Sequence, residues 1–71
     1  MKETTRELFA RRVIALRAER GWSQDELAAI SGLHRSYVGT IERSEKAVTL
    51  DTVEKIAKAF GLPVSELFKN N

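Results

Sequence analysis

The sequence has 71 residues, with 12 Lys and Arg against 10 Asp and Glu, and a formal net charge of +2. A chain of this length forms one domain, residues 1–71, and so small a charge excess does not by itself indicate a nucleic-acid partner. Cysteine is absent and His34 is the only histidine, which excludes disulfides and thiolate chemistry and argues against a histidine-based metal site. No apolar run is long enough for a membrane span or a signal-peptide core, so the sequence predicts a cytoplasmic protein without a membrane partner.

A first helix is predicted over Thr5 to Arg20. Thr4 can cap it, because a Thr followed three residues later by a Glu, here Glu7, forms the reciprocal hydrogen bonds of a capping box. Gly21 is the residue expected to end it. One buried face is predicted from the apolar residues at helical spacing, Phe9, Val13 and Leu16.

Two short helical patterns follow between Ser23 and Arg43, separated by a glycine turn. Ser23 and Glu26 form a second capping box, so a second helix begins there. Gly32 can take the left-handed conformation that ends a helix and turns the chain. The apolar positions are Leu27, Ala28 and Ile30 before the turn and Val38 and Ile41 after it. The pattern predicts a helix, a tight turn and a third helix.

The C-terminal part predicts a fourth helix and a short fifth one. Thr49 can cap helix 4, Gly61 can end it, and Pro63 suits the first turn of helix 5. The predicted core stripe of helix 4 is Leu50, Val53, Ile56, Ala57 and Phe60. The predicted fold class is therefore all-α, a compact five-helix domain with a central helix-turn-helix.

Helical spacing directs two charged side chains inward, because Arg17 follows Val13 by four residues and Glu42 follows Val38 by four. Either charge left unpaired in the core would cost several kcal/mol, so the two are predicted to pair with each other. The alternative, Glu42 as a catalytic carboxylate, lacks a second acid, a nucleophile or a metal ligand at a useful spacing. No catalytic residue, metal ligand or cofactor is predicted.

From Phe9 to Phe68 the chain resembles the helix-turn-helix domain of the phage repressor and Cro type, which has the lambda repressor-like fold. The segment from Leu33 to Tyr37 and the small size are most similar to the controller proteins of restriction-modification systems. The residues that carry the family resemblance are Phe9, Val13, Leu16, Arg17, Ser23, Gln24, Glu26, Leu27, Ala28, Gly32, Val38, Ile41, Glu42, Arg43, Leu50, Val53, Ile56, Ala57, Ala59, Phe60, Gly61, Glu66, Leu67 and Phe68.

The resemblance implies the same pair of Arg17 and Glu42, but the chain departs from the family after Arg43. The family usually has a glycine there, and this chain has Ser44. If the third helix ends in a left-handed residue, Ser carries a steric cost that Gly avoids. The sequence therefore leaves the geometry of the turn at Ser44 open.

The resemblance implies that helix 3 enters the major groove of double-stranded DNA. Arg35 is the best candidate for reading a base, because its planar fork can donate two hydrogen bonds to guanine, although it could also be a solvated arginine. The predicted base-reading residues are Arg35, Ser36, Tyr37 and Thr40. The predicted phosphate contacts are Gln24, His34, Arg43 and Lys46.

Three positions on this surface have open alternatives. Gln24 opens helix 2, whose free N–H groups favour phosphate, but a surface amide there can also be simply solvated. Tyr37 fits packing beside Val38 as well as it fits a DNA contact. Gly39 costs about 1 kcal/mol relative to Ala inside a helix. Either nothing is gained there or the missing side chain lets the protein backbone approach DNA closely, and we favour close approach.

The last apolar residues exceed what a small core needs, and they are predicted to form a homodimer contact. They are Leu62, Val64, Leu67 and Phe68. The alternative is that helix 5 simply closes the core. We favour the dimer, because one recognition helix reads only a few base pairs.

The sequence predicts a sequence-specific DNA-binding transcription regulator that binds inverted-repeat operators as a homodimer, a restriction-modification controller protein. RNA polymerase is a candidate further partner. A phage repressor or an antitoxin of a toxin-antitoxin pair would have a similar sequence, and a protein-interaction adaptor is the alternative from a different class. An enzyme is the least supported class, since the chain has no acid-base pair, nucleophile constellation or phosphate loop.

Overall fold

The computed structural model describes residues 2–70, and its fold class is all-α, as predicted. Its elements are α1 (Thr5–Arg20), α2 (Gln24–Ser31), α3 (Arg35–Glu42), α4 (Leu50–Phe60) and a C-terminal 3₁₀ helix (Val64–Phe68). Helix α2 packs against α3 and α4, while α1 packs against α3 and the 3₁₀ helix. The helix-turn-helix formed by α2 and α3 is thus supported from behind by α1 and α4.

Both predicted capping boxes are present. The Thr4 hydroxyl accepts the N–H of Glu7 at 3.1 Å, and the Glu7 carboxylate accepts the N–H of Thr4 at 2.9 Å. Ser23 and Glu26 make the same exchange at 3.0 and 2.8 Å. Each cap satisfies backbone donors that the helix itself leaves unpaired, which is why α1 and α2 begin where the sequence predicts.

One face of each helix contributes to a single core. Its largest completely buried side chains are Phe9, Val13, Leu27, Val38, Ile56 and Leu67. Trp22 packs at the edge of this core, with its ring stacked on Phe60 at a centroid distance of 5.4 Å. The core therefore draws on all four α-helices and the 3₁₀ helix.

Two residues that the pattern assigned to the core are exposed, so these predictions are wrong. Ile30 is half-exposed, because the buried face of α2 is formed by Leu27 and Ser31, one turn apart, and Ile30 lies beside it. Leu50 is 84% exposed. It is the first residue of α4, and Thr52 is the residue buried at that end of the helix.

The predicted fifth helix is a 3₁₀ helix rather than an α-helix. It has five residues and begins directly after Pro63, and 3₁₀ helices occur mainly as short pieces of this kind. Arg12 Nε donates to the carbonyl of Glu66 at 3.0 Å, and the ring of Phe68 stacks on Phe9 at a centroid distance of 5.5 Å. These contacts fasten the segment to α1.

Helix α3 ends in a left-handed turn at Ser44. This residue has a φ of 56° and is the single non-glycine residue with positive φ within 2–70. The N–H of Ser44 donates to the carbonyl of Ile41 at 3.0 Å, and the N–H of Glu45 donates to that of Thr40 at 3.2 Å. This pair of hydrogen bonds is the Schellman motif, in which glycine usually occupies the left-handed position.

Ser44→Gly should therefore raise the free energy of unfolding by about 0.5–1 kcal/mol. The left-handed conformation costs a non-glycine residue roughly 1–2 kcal/mol, and the greater freedom of glycine in the unfolded chain offsets part of that gain. Urea denaturation measures the difference. Ser65→Gly is the matched control, because Ser65 is exposed and has an ordinary negative φ. A gain in both variants, or in neither, would show that the turn at Ser44 is not strained.

Candidate nucleic-acid interface

Five of the residues predicted to contact DNA line one surface cleft between the first turn of α2 and the outer face of α3. The lining residues are Gln24, His34, Arg35, Ser36, Gly39 and Arg43. Three predicted contacts, Tyr37, Thr40 and Lys46, do not belong to this lining. The fold thus brings most of the predicted phosphate contacts together with Arg35 and Ser36.

A histidine caps α3 at the start of the cleft. His34 Nδ1 accepts the N–H of Ser36 at 3.1 Å and lies 2.8 Å from the Ser36 hydroxyl oxygen. This contact uses Nδ1 and leaves Nε2 as the ring nitrogen able to donate to a phosphate. The first turn of α3 contains no acidic residue, so no carboxylate on that turn competes for the positive end of its dipole.

Arg35 projects from the first turn of α3 and pairs with an acidic residue of α2. Its Nε lies 2.7 Å from Asp25 Oδ1, and the two side chains are 72% and 66% exposed. An ion pair this exposed contributes at most about 1 kcal/mol. The guanidinium of Arg35 can therefore leave Asp25 for a better partner.

Arg17, Glu42 and Gln24 connect three helices beneath the cleft. Arg17 Nε and Nη2 donate to the two carboxylate oxygens of Glu42 at 2.7 and 3.0 Å, and Arg17 Nη1 donates to the carbonyl of Trp22 at 2.9 Å. The hydrogen bonds to Glu42 are the main reason that the pKa of Arg17 is raised above its ordinary value. Glu42 Oε1 also accepts a hydrogen bond from Gln24 Nε2 at 2.9 Å. The amide of Gln24 is thereby oriented and keeps one N–H for a phosphate.

At the other end of α3, the Arg43 side chain folds over Gly39. A Cβ on Gly39 would lie 3.0 Å from Arg43 Nη1, so the missing side chain makes room for the guanidinium. Close approach of the backbone at Gly39 to DNA stays a prediction, and it requires the Arg43 side chain to move aside. Arg43 Nε and Nη2 donate to the two carboxylate oxygens of Glu45 at 2.9 and 3.2 Å.

The three remaining predicted contacts have different surroundings. Tyr37 is half-buried against the core, with its hydroxyl oxygen 3.4 Å from that of Thr52 on α4, so the packing alternative fits it better than a base contact. The hydroxyl of Thr40 is engaged within α3, where it donates to the carbonyl of Ser36 at 3.0 Å. Lys46 is exposed in the loop between α3 and α4.

The predicted dimer contact is only partly accessible. Leu67 exposes 0% of its surface and belongs to the protomer's own core, so its assignment to the interface is wrong. Leu62 and Phe68 are half-buried against the same core, whereas Val64 is 41% exposed. Phe68 and the exposed Leu50 also border one apolar groove beside α1. The apolar surface at this end of the molecule thus extends to the start of α4.

Residues 2–70 offer no group of three or more His, Cys, Asp or Glu side chains that could hold a metal ion. In the same range, every buried side-chain nitrogen or oxygen has a hydrogen-bond partner. None of the helices described is both long and apolar enough to cross a membrane.

The helix-turn-helix family matches residues 13–67. This chain belongs to the helix-turn-helix family. The match runs from Val13 on α1 to Leu67 in the 3₁₀ helix and so includes α2, α3 and the cleft between them. The family is one of DNA-binding regulators and not a class of enzymes.

Within the helix-turn-helix family, the chain is similar to control proteins of restriction-modification systems. It is 45% identical over 62 residues to control protein C.SmaI of Serratia marcescens, covering 87% of this chain and 74% of that protein. The structure is similar to the controller protein C.AhdI from Aeromonas hydrophila, with a TM-score of 0.85, 43% identity, and coverage of 89% of this chain and 96% of that chain. It is also similar to C.Esp1396I bound to a 25 base pair operator site, with a TM-score of 0.83, 27% identity, and coverage of 94% and 88%. The predicted resemblance is confirmed.

Proposed function

We propose that this helix-turn-helix protein is a sequence-specific transcription regulator of the restriction-modification controller type, which binds inverted-repeat operators as a homodimer. The observation that carries the proposal is the cleft lined by Gln24 of α2, Arg35 of α3 and Arg43, which directly follows α3. The relatives support it, because C.SmaI and C.AhdI are control proteins and C.Esp1396I has been seen on an operator. We place its action on DNA in the cytoplasm and assign it no cofactor.

Helix α3 is the element that we place in the major groove. Arg35 and Ser36 are exposed in its first turn, where recognition helices of this kind contact base edges. The guanidinium of Arg35 can exchange Asp25 for O6 and N7 of a guanine, the commonest specific contact of arginine in the major groove. Gln24, at the N-terminus of α2, is oriented by Glu42 to donate to a phosphate.

Two copies are needed for a specific operator, because a single α3 reads only a few base pairs. A two-fold axis would place the two α3 helices on inverted half-sites about one helical turn, roughly 34 Å, apart. We assign the contact to Val64 with the accessible parts of Leu62 and Phe68, extended by Leu50. A dimer bound at an operator regulates transcription by contacting or excluding RNA polymerase.

Arg35→Ala should weaken operator binding by about 1–3 kcal/mol and flatten the preference at one base pair per half-site, because it removes a pair of hydrogen bonds to a base. Lys46→Ala should instead weaken binding evenly across sequences. The slope of log affinity against log salt should also become shallower by about one unit for each phosphate that the variant no longer neutralises. Selection of bound sequences from a random DNA pool supplies the operator, and affinities on its single-base variants at several salt concentrations separate the two roles.

The matched control for Lys46→Ala is Lys58→Ala, which removes the same charge from the exposed side of α4. It should change the affinity for DNA less than Lys46→Ala does. If Arg35→Ala lowers the affinity for every sequence equally and keeps the wild-type sequence preference, Arg35 is not the base-reading residue. If the wild-type protein selects no sequence and binds DNA only weakly, the protein-interaction adaptor replaces the regulator.

A further inference from the structure

Arg43 is the arginine at the C-terminal end of the cleft, and two of its three guanidinium nitrogens donate within the protein. One edge of its guanidinium, formed by Nε and Nη2, donates to both oxygens of Glu45. Its remaining nitrogen, Nη1, faces the backbone of Gly39. The edge of Nε and Nη2 is one that arginine commonly uses for bidentate contact with a phosphate. A phosphate that takes this edge must first displace Glu45.

We propose that Glu45 limits the affinity of the protein for DNA by competing with phosphate for Arg43. This inference rests on the proposed function, since it assigns a regulatory residue to the same DNA-binding cleft. In the free protein the carboxylate occupies the position that a phosphate oxygen would take. When Arg43 moves to DNA, Glu45 loses its partner, and the free energy of this ion pair is subtracted from the free energy of binding.

The sequence builds this contact through the turn that ends α3. Ser44 reverses the chain in its left-handed conformation, and the hydrogen bond from the N–H of Glu45 to Thr40 fixes the backbone of Glu45. The turn thereby brings the carboxylate of Glu45 back to the guanidinium of Arg43, two residues earlier in the chain. Gly39 completes the arrangement, because a Cβ there would lie 3.0 Å from Arg43 Nη1 and the guanidinium would have to shift to make room.

Stability of the fold does not account for this ion pair. The side chains of Arg43 and Glu45 are 59% and 52% exposed, and neither belongs to the core. The pKa of Glu45 is lowered, first by its hydrogen bond from Arg43, so the carboxylate remains charged at neutral pH. A charged acceptor that adds little to folding, placed on an arginine of the DNA face, is what a competitor for phosphate requires.

The test compares Glu45→Gln with wild type on two probes, the operator selected from a random pool and a fixed mixed-sequence duplex. Glu45→Gln should tighten binding to the operator by about two- to fivefold, the range set by the strength of an exposed ion pair. In an Arg43→Ala background the same substitution should have no effect. Glu54→Gln, which removes an equal charge from the exposed side of α4, is the matched control and should leave the affinity unchanged. Thermal melts should show all these variants folded as the wild type is.

Three results would overturn the inference. Unchanged affinity in Glu45→Gln would mean that Arg43 does not leave Glu45. Weaker binding would mean that Glu45 holds Arg43 in place for DNA. Equal tightening with and without Arg43 would mean that the charge of Glu45 repels DNA directly.

The two probes separate this inference from the proposed function. Phosphate contacts do not depend on base sequence, so Glu45→Gln should also tighten binding to the mixed-sequence duplex at low salt. If selection yields no operator but this tightening is seen, the proposed function fails and the competition stands. If wild type binds an operator and Glu45→Gln behaves as wild type, only the competition fails.

Discussion

Replacing Arg17 with methionine should lower the free energy of unfolding by about 3–5 kcal/mol, because the carboxylate of Glu42 would lose its cationic partner in the core. The Glu42 side chain is only 5% exposed, and the amide of Gln24 would be its remaining side-chain partner. A domain of this size is stable by about 4–11 kcal/mol in total, so the loss would remove a large share of its stability. Urea denaturation followed by circular dichroism measures it.

The double-mutant cycle identifies the pair as the cause. Glu42→Leu should lower the free energy of unfolding less than Arg17→Met does. The Arg17 side chain is 20% exposed, and it keeps its hydrogen bond to the carbonyl of Trp22. The double variant should recover much of either loss, since an apolar pair can replace a buried ion pair. Arg11→Met is the matched control on α1, because it removes an exposed pair with Glu3 and should leave unfolding nearly unchanged. Additive losses in the double variant would contradict the coupling.

Leu67→Ala should lower the free energy of unfolding by about 2–5 kcal/mol, because it leaves a cavity at a position that is completely buried within one protomer. Val64→Asp, three residues earlier, should instead leave the stability of the protomer nearly unchanged and weaken the dimer, since this side chain is exposed. Melts at a concentration where the protein is monomeric measure the first effect, and sedimentation across a dilution series measures the second.

A wild-type protein that remains monomeric at tens of micromolar would contradict the dimer. A dimer that Val64→Asp leaves intact would move its interface away from the 3₁₀ helix.

Local signals in the sequence were enough to predict most of the fold. The bounds of α1 follow from the capping box of Thr4 and Glu7 and from Gly21, all within one turn of the helix ends. The sequence did not predict the burial of Leu50 or Leu67. Hydrophobic periodicity shows which face of a helix a residue occupies, but it does not show where along the helix the core ends. Leu50 lies beyond that limit and Leu67 lies within it.

The candidate site was less predictable, since its geometry depends on side-chain rotamers and neighbours distant in sequence. His34 caps α3 although histidine is not among the usual capping residues. The contact of Asp25 with Arg35 joins two helices across the turn, and no spacing rule within one helix predicts it. The position of Arg43 over Gly39 could not be predicted from the sequence. A glycine shows only that a side chain is missing, and the folded structure shows which group fills the space.

The carboxylate of Glu42 couples α1 to the cleft, because it accepts hydrogen bonds from both Arg17 and Gln24. Arg17 lies on α1, which contributes no residue to the lining of the cleft, yet it binds the same Glu42 that orients the Gln24 amide. A sequence change on α1 that displaces Arg17 would therefore reach the Gln24 amide, which we propose as a phosphate contact, through a single residue. Variation in operator affinity among relatives of this protein need not arise on the surface that contacts DNA.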